Sequence, residues 1–258
     1  HWAQDGAEAR ALITDIAKKY GVTRMVKGKS MVSEEIELNS ALEDAGVEVW
    51  EGDLGELIVQ LAEERPSHIV APAIHKSKED VAELFVEKLG ERGRLPEELT
   101  MIARRALRTQ FLNADMGFSG VNIAVAETGS LLLVENEGNI RMAGTCPPVH
   151  VALMSLEKVC ATLEDATAIL ALLSRSGTGQ RLPAYISLFN GPRREGEPDG
   201  PEHLHLIILD NGRSRTMADP ILRQALRCIR CGACFGVCPV YESIGGHAYG
   251  GTYSGPIG

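Results

Sequence analysis

Four of the six cysteines in this 258-residue chain fall within eleven residues, Cys228, Cys231, Cys234 and Cys238, and Pro239 follows the last of them. The spacing C-x2-C-x2-C-x3-C-P is the bacterial-type iron–sulfur run, in which two intervening residues let the backbone curl around one cluster corner at a time. Gly232 and Gly236 allow the main chain close to inorganic sulfide, and Ile229, Phe235 and Val237 supply an apolar shell that holds water off. A [4Fe–4S] cluster on these four thiolates is the expectation. A zinc knuckle and unliganded buried thiols are the alternatives, and zinc sites usually add a second cysteine pair further away. Thiols kept free for a metal imply a reducing, cytoplasmic compartment.

The run also raises a question of ligand count. In two-cluster ferredoxins the fourth cysteine of each run ligates the other cluster, so two runs complete two sites. Only one run is present. A partner run lies beyond Gly258 in a longer native chain, or Cys146, itself followed by Pro147, closes the set, or the single run binds one cluster alone. The start at His1-Trp2 rather than Met favours a trimmed fragment, and two clusters are then expected in the full-length protein.

Composition narrows the partners. The chain carries 26 Lys+Arg against 35 Asp+Glu, a net charge of −9, so no nucleic-acid partner is expected. The longest apolar tract, 121–134, is broken by Asn122, Glu127, Thr128 and Ser130, so no transmembrane segment is expected. No charged segment precedes an apolar one at the start, so no secretory signal is read.

From residue 5 to 90 helical and strand periods alternate. Helical spacing covers 5–20, with Leu12, Ile13, Ile16 and Ala17 on one face; 22–26 is a short strand. Ser33 with Glu34 and Glu35 caps a helix through Leu42, followed by a strand at 47–50. A helix at 54–62, a third buried strand at 68–71 and a helix capped by the Ser77/Asp80 box extend the alternation. Short connections between such units imply a parallel sheet flanked by helices, the α/β class. A helix at 96–111 follows, then strand-like runs at 121–126, 130–135 and 140–143 joined by tight turns. A strand within 149–159, a helix capped by Thr162/Asp165 and strands at 184–189 and 204–209 complete the region. The loop 191–200 reads as mobile by composition, and Pro220 starts a helix leading into the cysteines. The boundary is placed near Asp219: an α/β domain at 1–219 and an iron–sulfur segment at 220–258.

Several local strings then become recognisable: Lys27-Gly28-Lys29-Ser30-Met31, Ala71-Pro72-Ala73-Ile74-His75-Lys76, Ala126-Glu127-Thr128-Gly129-Ser130, Asp210-Asn211-Gly212-Arg213-Ser214 and Ile244-Gly245-Gly246-His247-Ala248-Tyr249-Gly250. Together with the cysteine run, over essentially the whole chain, they resemble the lactate-utilisation iron–sulfur protein B family. The resemblance implies a lactate-utilisation (LUD) domain, a parallel or mixed sheet of the ribose-phosphate isomerase and CoA-transferase type, followed by the start of an α-helical ferredoxin-type segment. It further implies a subunit of a three-protein complex that oxidises L-lactate to pyruvate, this subunit relaying electrons through [4Fe–4S] clusters. The sequence departs from the family in lacking a second run and in having Cys146-Pro147-Pro148.

Lys27, Lys29, Ser30, His75, Glu127, Gly129 and Ser130 are candidate ligand-crevice residues, since loops beyond the carboxyl ends of parallel strands gather ligands. Lysines there would hold a carboxylate or a phosphate. Glu127 is the weak catalytic candidate, as carboxylates serve in CoA-transferase-like folds, against a simple turn requirement at Gly129. That would make the α/β domain a CoA-transferase-like enzyme or small-molecule binder with a structural cluster. No phosphate-cradling glycine motif is present. His203 and His205 share one strand face but have no third ligand nearby.

Overall fold

The computed structural model describes all 258 residues. In chain order the elements are β1 (Trp2–Ala3), α1 (Gly6–Lys19), β2 (Arg24–Lys27), α2 (Met31–Glu35), α3 (Leu38–Asp44), β3 (Glu48–Glu51), α4 (Leu54–Leu61), α5 (Lys78–Leu89), α6 (Pro96–Asn113), β4 (Met116–Gly120), β5 (Ile123–Val125), β6 (Ser130–Glu135), α7 (Asn139–Thr145), β7 (Val149–Ser155), β8 (Val159–Cys160), α8 (Leu163–Thr178), β9 (Tyr185–Phe189), β10 (His203–Leu209), α9 (Arg213–Ala218) and α10 (Pro239–Ile244). Short 3-10 turns at Leu156–Lys158, Leu222–Arg227, Ala233–Val237 and His247–Tyr249 complete the chain.

Six strands form a parallel sheet in the order β1-β10-β7-β4-β2-β3. Helices cover both faces, as an all-parallel sheet requires. Ile13 of α1, Ile36 and Leu42 pack on one face; Leu57, Phe85 and Phe111 of α4, α5 and α6 fill the other. The expected α/β class is therefore observed. The chain leaves this sheet at Gly120 and enters a second, mixed sheet ordered β8-β5-β6-β9, backed by Ala166 and Leu170 of α8.

The capping boxes at Ser77/Asp80 and Thr162/Asp165 are both formed. Four sequence expectations need correction. The 68–71 segment is not a strand: the His68 ring nitrogen accepts from the backbone N–H groups of Val70 and Ala71, and this local turn takes the donors a ladder would need. Residues 140–143 belong to α7, because the Glu135 carboxylate accepts from Ile140 N and Arg141 N and so organises the first turn of a helix. The first cap after β2 is Ser30 rather than Ser33, and Glu37 at φ 51° splits the expected helix into α2 and α3. The segment after Pro220 forms a 3-10 turn, not a continuous helix into the cysteines.

Strand β4 was hidden because Met-Gly-Phe-Ser-Gly carries no period-two pattern; it is buried on both faces. Gly117 explains its composition, since a Cβ there would stand 1.6 Å from the Ala143 carbonyl oxygen of α7. Gly117→Ala is expected to destabilise the protein by about 3 kcal/mol, an overpacking cost paid by backbone rather than by a side chain that can move. Urea denaturation midpoints would measure it.

Candidate functional site

The topology reverses at β2, which has β3 on one side and β4 on the other. Diverging connections leave a crevice beyond the carboxyl ends of such strands. Its floor is polar and buried. Lys27, the last residue of β2, is wholly buried and donates to Glu51 Oε1 at 2.6 Å and Glu34 Oε1 at 3.1 Å; Asn39 also donates to Glu51, at 2.8 Å. Ligand oxygens of Glu34, Glu51 and Glu56 lie within 4.8 Å of one another. Burial would discharge Lys27, but the carboxylates of Glu51, Glu34 and Glu56 outweigh it and hold the ammonium above the usual lysine range. Burial, reinforced by the Glu51 charge, pushes the Glu56 carboxyl up to about 8.

Beyond the carboxyl ends of β2, β4 and β7, and separate from that charged cluster, lies a cavity of about 330 Å³ whose wall includes Lys29, Ser30, Asn122, Lys158, Arg230 and Cys231. Lys29 donates to the Val70 carbonyl at 2.9 Å, and Ser30 caps α2. The other sequence candidates sit elsewhere. His75 bonds Glu64 at 2.6 Å and Ser67 at 3.0 Å and faces His247, outside the crevice. Glu127 is exposed and accepts from Leu163 N at 2.6 Å, helping to cap α8. Gly129, at φ 68°, makes the β5–β6 turn, and Ser130 bonds Thr128 and Asn190 beside it. The crevice grouping thus divides: Lys29 and Ser30 line the cavity, Lys27 is buried in the neighbouring carboxylate cluster, and Glu127, Gly129 and Ser130 share one hairpin end. His203 and His205 enter an aromatic stack with Tyr20 and His1.

The cysteine loop is docked on the same side. Tyr253 donates to Glu35 at 2.7 Å, and Arg213 grips that carboxylate with two bonds of 2.5 and 2.6 Å. Burial would raise the Glu35 carboxyl, yet the bonds from Arg213, Tyr253 and Asn211 hold it below the usual range. Arg230 stacks over Tyr253 at 4.2 Å and Tyr241 donates to the Ser67 carbonyl at 2.8 Å. Gly246 has no room for a Cβ, which would stand 1.7 Å from the Ser67 carbonyl oxygen. Sequence reading missed Glu35, Glu157, Lys158, Arg213 and Tyr253. Only the Asp210–Ser214 string hinted at Arg213, and nothing linked it to Glu35, 178 positions away.

All six cysteines are free. Arg230 (φ 63°) and Gly232 (φ 76°) turn the loop, and Phe235 stacks on Tyr241 at 4.5 Å with the His68 ring edge-on. Burial raises the Cys234 thiol, and the neighbouring Cys228, Cys231 and Cys238 add to this, so the four sulfurs sense one another. Cys238 behaves oppositely: the backbone N–H groups of Tyr241 and Val240 and the Tyr249 hydroxyl stabilise its thiolate and lower it. Four free thiols at this spacing on a loop with αL turns are a donor set suited to an iron–sulfur cluster, but of the expected apolar shell only Phe235 is buried: Val237 is 83% exposed, and Cys234 is exposed too.

The LUD domain model matches residues 1–209, and the chain belongs to that family. Among relatives, it is 49% identical to lactate utilization protein B of Bacillus licheniformis and 51% identical to that of Bacillus pumilus, each over the whole chain and 54% of the relative. It is 47% identical to the uncharacterized electron transport protein YkgF of Escherichia coli, again over the whole chain and 54% of the relative. The chain therefore spans about half the length of these curated relatives. A solved DUF162 family protein from Deinococcus radiodurans aligns with 80% of this chain and 98% of its own, at a TM-score of 0.33 and 12% identity. No helix is long and apolar enough to cross a membrane.

Proposed function

We propose that the chain serves lactate utilisation as an electron relay, carrying a [4Fe–4S] cluster on Cys228, Cys231, Cys234 and Cys238 within an L-lactate-oxidising complex. The observation that carries this is the cysteine loop itself, four free thiols at iron–sulfur spacing on a backbone turned by Arg230 and Gly232. The names of the relatives, lactate utilization protein and electron transport protein, agree with that chemistry. When bound, such a cluster accepts and returns single electrons. The chain's part is to fix the thiolates: Gly232 and Arg230 turn the loop, the Phe235–Tyr241 stack braces it, and the Glu35–Arg213–Tyr253 network docks it. A second cluster belongs to the full-length protein, and the other subunits of the complex supply and accept the electrons.

Anaerobic reconstitution with iron and sulfide is the test, followed by iron and acid-labile sulfide analysis and EPR after dithionite. A brown protein with a reduced-cluster signal is expected. A colourless, EPR-silent chain that takes up zinc stoichiometrically would overturn the reading.

A further inference from the structure

The cavity lined by Lys29 and Ser30 is bounded on one side by the carboxyl ends of the parallel strands and on the other by the cysteine loop, through Arg230 and Cys231. Its wall holds three cations, Lys29, Lys158 and Arg230, and three carboxylates, Asp53, Glu135 and Glu137. The carboxylates are already engaged. Asp53 accepts from Glu56 N at 3.1 Å, Glu135 from Ile140 N and Arg141 N at 2.6 and 2.7 Å, and Glu137 from Asn136 N at 3.2 Å. Among the cations, Lys29 is spent on the Val70 carbonyl, while Arg230 has only Glu157, at 3.8 Å, and the Tyr253 ring. The Lys158 side chain is half-buried, and its ammonium makes no hydrogen bond and no close ion pair within the protein, with Glu157 the carboxylate that attracts it. In the same wall Ser174 has a buried hydroxyl without a partner. An ammonium free of hydrogen bonds beside a buried hydroxyl with unused bonding capacity offers an anion in the cavity charge-assisted hydrogen bonds.

We infer that this cavity binds a small organic monocarboxylate, its carboxylate on the Lys158 ammonium beside Arg230. Several features select that class. The three positive wall groups, Lys158 among them, are matched by three carboxylates, so a phosphate, with close to two negative charges, meets more repulsion than a single carboxylate does. The sequence offers no glycine-rich nest of amides to cradle one. Apolar wall residues such as Val121, Ile140 and Leu173 suit the carbon skeleton of a metabolite, and the volume of about 330 Å³ is that of a small-molecule site. The inference deepens the lactate-utilisation reading, on which the choice of probes rests, by giving this chain a ligand site of its own against the cysteine loop.

Calorimetric titration of the full chain with L-lactate, pyruvate and inorganic phosphate, in buffer of low ionic strength, tests it. Saturable binding of L-lactate or pyruvate is expected at one per chain, with phosphate at least about tenfold weaker. Lys158→Met should weaken carboxylate binding by about tenfold or more, the loss of one charge-assisted hydrogen bond. Lys88→Met, on the surface, should leave it unchanged. Should Lys158→Met fold poorly by its thermal midpoint, Arg230→Gln is read in its place and should show a loss in the same direction. No saturation by either carboxylate, phosphate binding as tight as theirs, or full affinity in the folded Lys158 variant would overturn the inference. Iron-free and reconstituted chains are titrated separately, so failure to bind iron sinks the electron-relay reading while leaving anion binding measurable, and the reverse also holds.

Discussion

Lys27→Met is expected to lower stability by about 3–5 kcal/mol, the cost of removing one partner from a buried ion pair. The methionine fills the same space, so the effect is electrostatic rather than a cavity. What remains is the Glu51 carboxylate, almost fully buried with one oxygen already unpartnered, together with Glu34 and Glu56. Glu34 and Glu51 then face each other without the ammonium between them, while Glu56, with its carboxyl pushed up to about 8, adds its charge only at alkaline pH. Urea denaturation followed by circular dichroism measures the change; a loss below about 1 kcal/mol, the range of surface ion pairs, would show that the pair is not buried as described. The same cluster makes stability depend on pH. The Glu56 carboxyl titrates near 8 in the folded protein against 4.5 as the ordinary value, so the native state holds a proton that the unfolded chain has released. Stability therefore falls as pH rises through that window. Glu56→Gln keeps the shape without the charge, and should flatten this part of the profile and raise the thermal midpoint on its alkaline side. An unchanged slope would place the titration on another group.

Cys231→Ala is expected to reduce the iron bound after reconstitution on the order of tenfold or more, because a cluster lacking one thiolate is open to solvent and exchange. The fold should survive, since Cys231 lies outside the buried clusters of both sheets. Cys146→Ala is the matched comparison: Cys146 is exposed at the end of α7, and its removal should leave iron unchanged. Iron lost equally from both variants would show that Cys146 completes the ligand set. Iron analysis with the visible absorbance spectrum separates these outcomes.

Local interactions were the readable ones. The caps at Ser77 and Thr162 involve residues three apart, and the apolar face of α1 repeats at the helical period, so each was plain in a short window. The failures share a cause. Strand β4 has its period erased by Gly117 and Gly120, chosen for what packs on them, and 140–143 looks apolar enough for a strand until Glu135 nucleates a helix. The 68–71 segment has strand-like residues but lies under the cysteine loop, where Gly232 packs on Ile69 and Val70. Of the crevice candidates, Lys27, Lys29 and Ser30 follow one strand and so came together; His75, Glu127, Gly129 and Ser130 shared only their position at element ends.

The amino-acid order by itself set the donor chemistry, four thiols at iron–sulfur spacing followed by proline, because that spacing acts over a few residues of backbone. Tertiary structure alone decided which charges would be neutralised and which left open. Glu35 meets Tyr253 across 218 positions and Arg213 across 178, while Lys158 ends beside the cysteine loop near Glu157 but without a close ion pair. Such pairings depend on where the sheet carries each strand end, and burial then multiplies the strength of every charge it encloses.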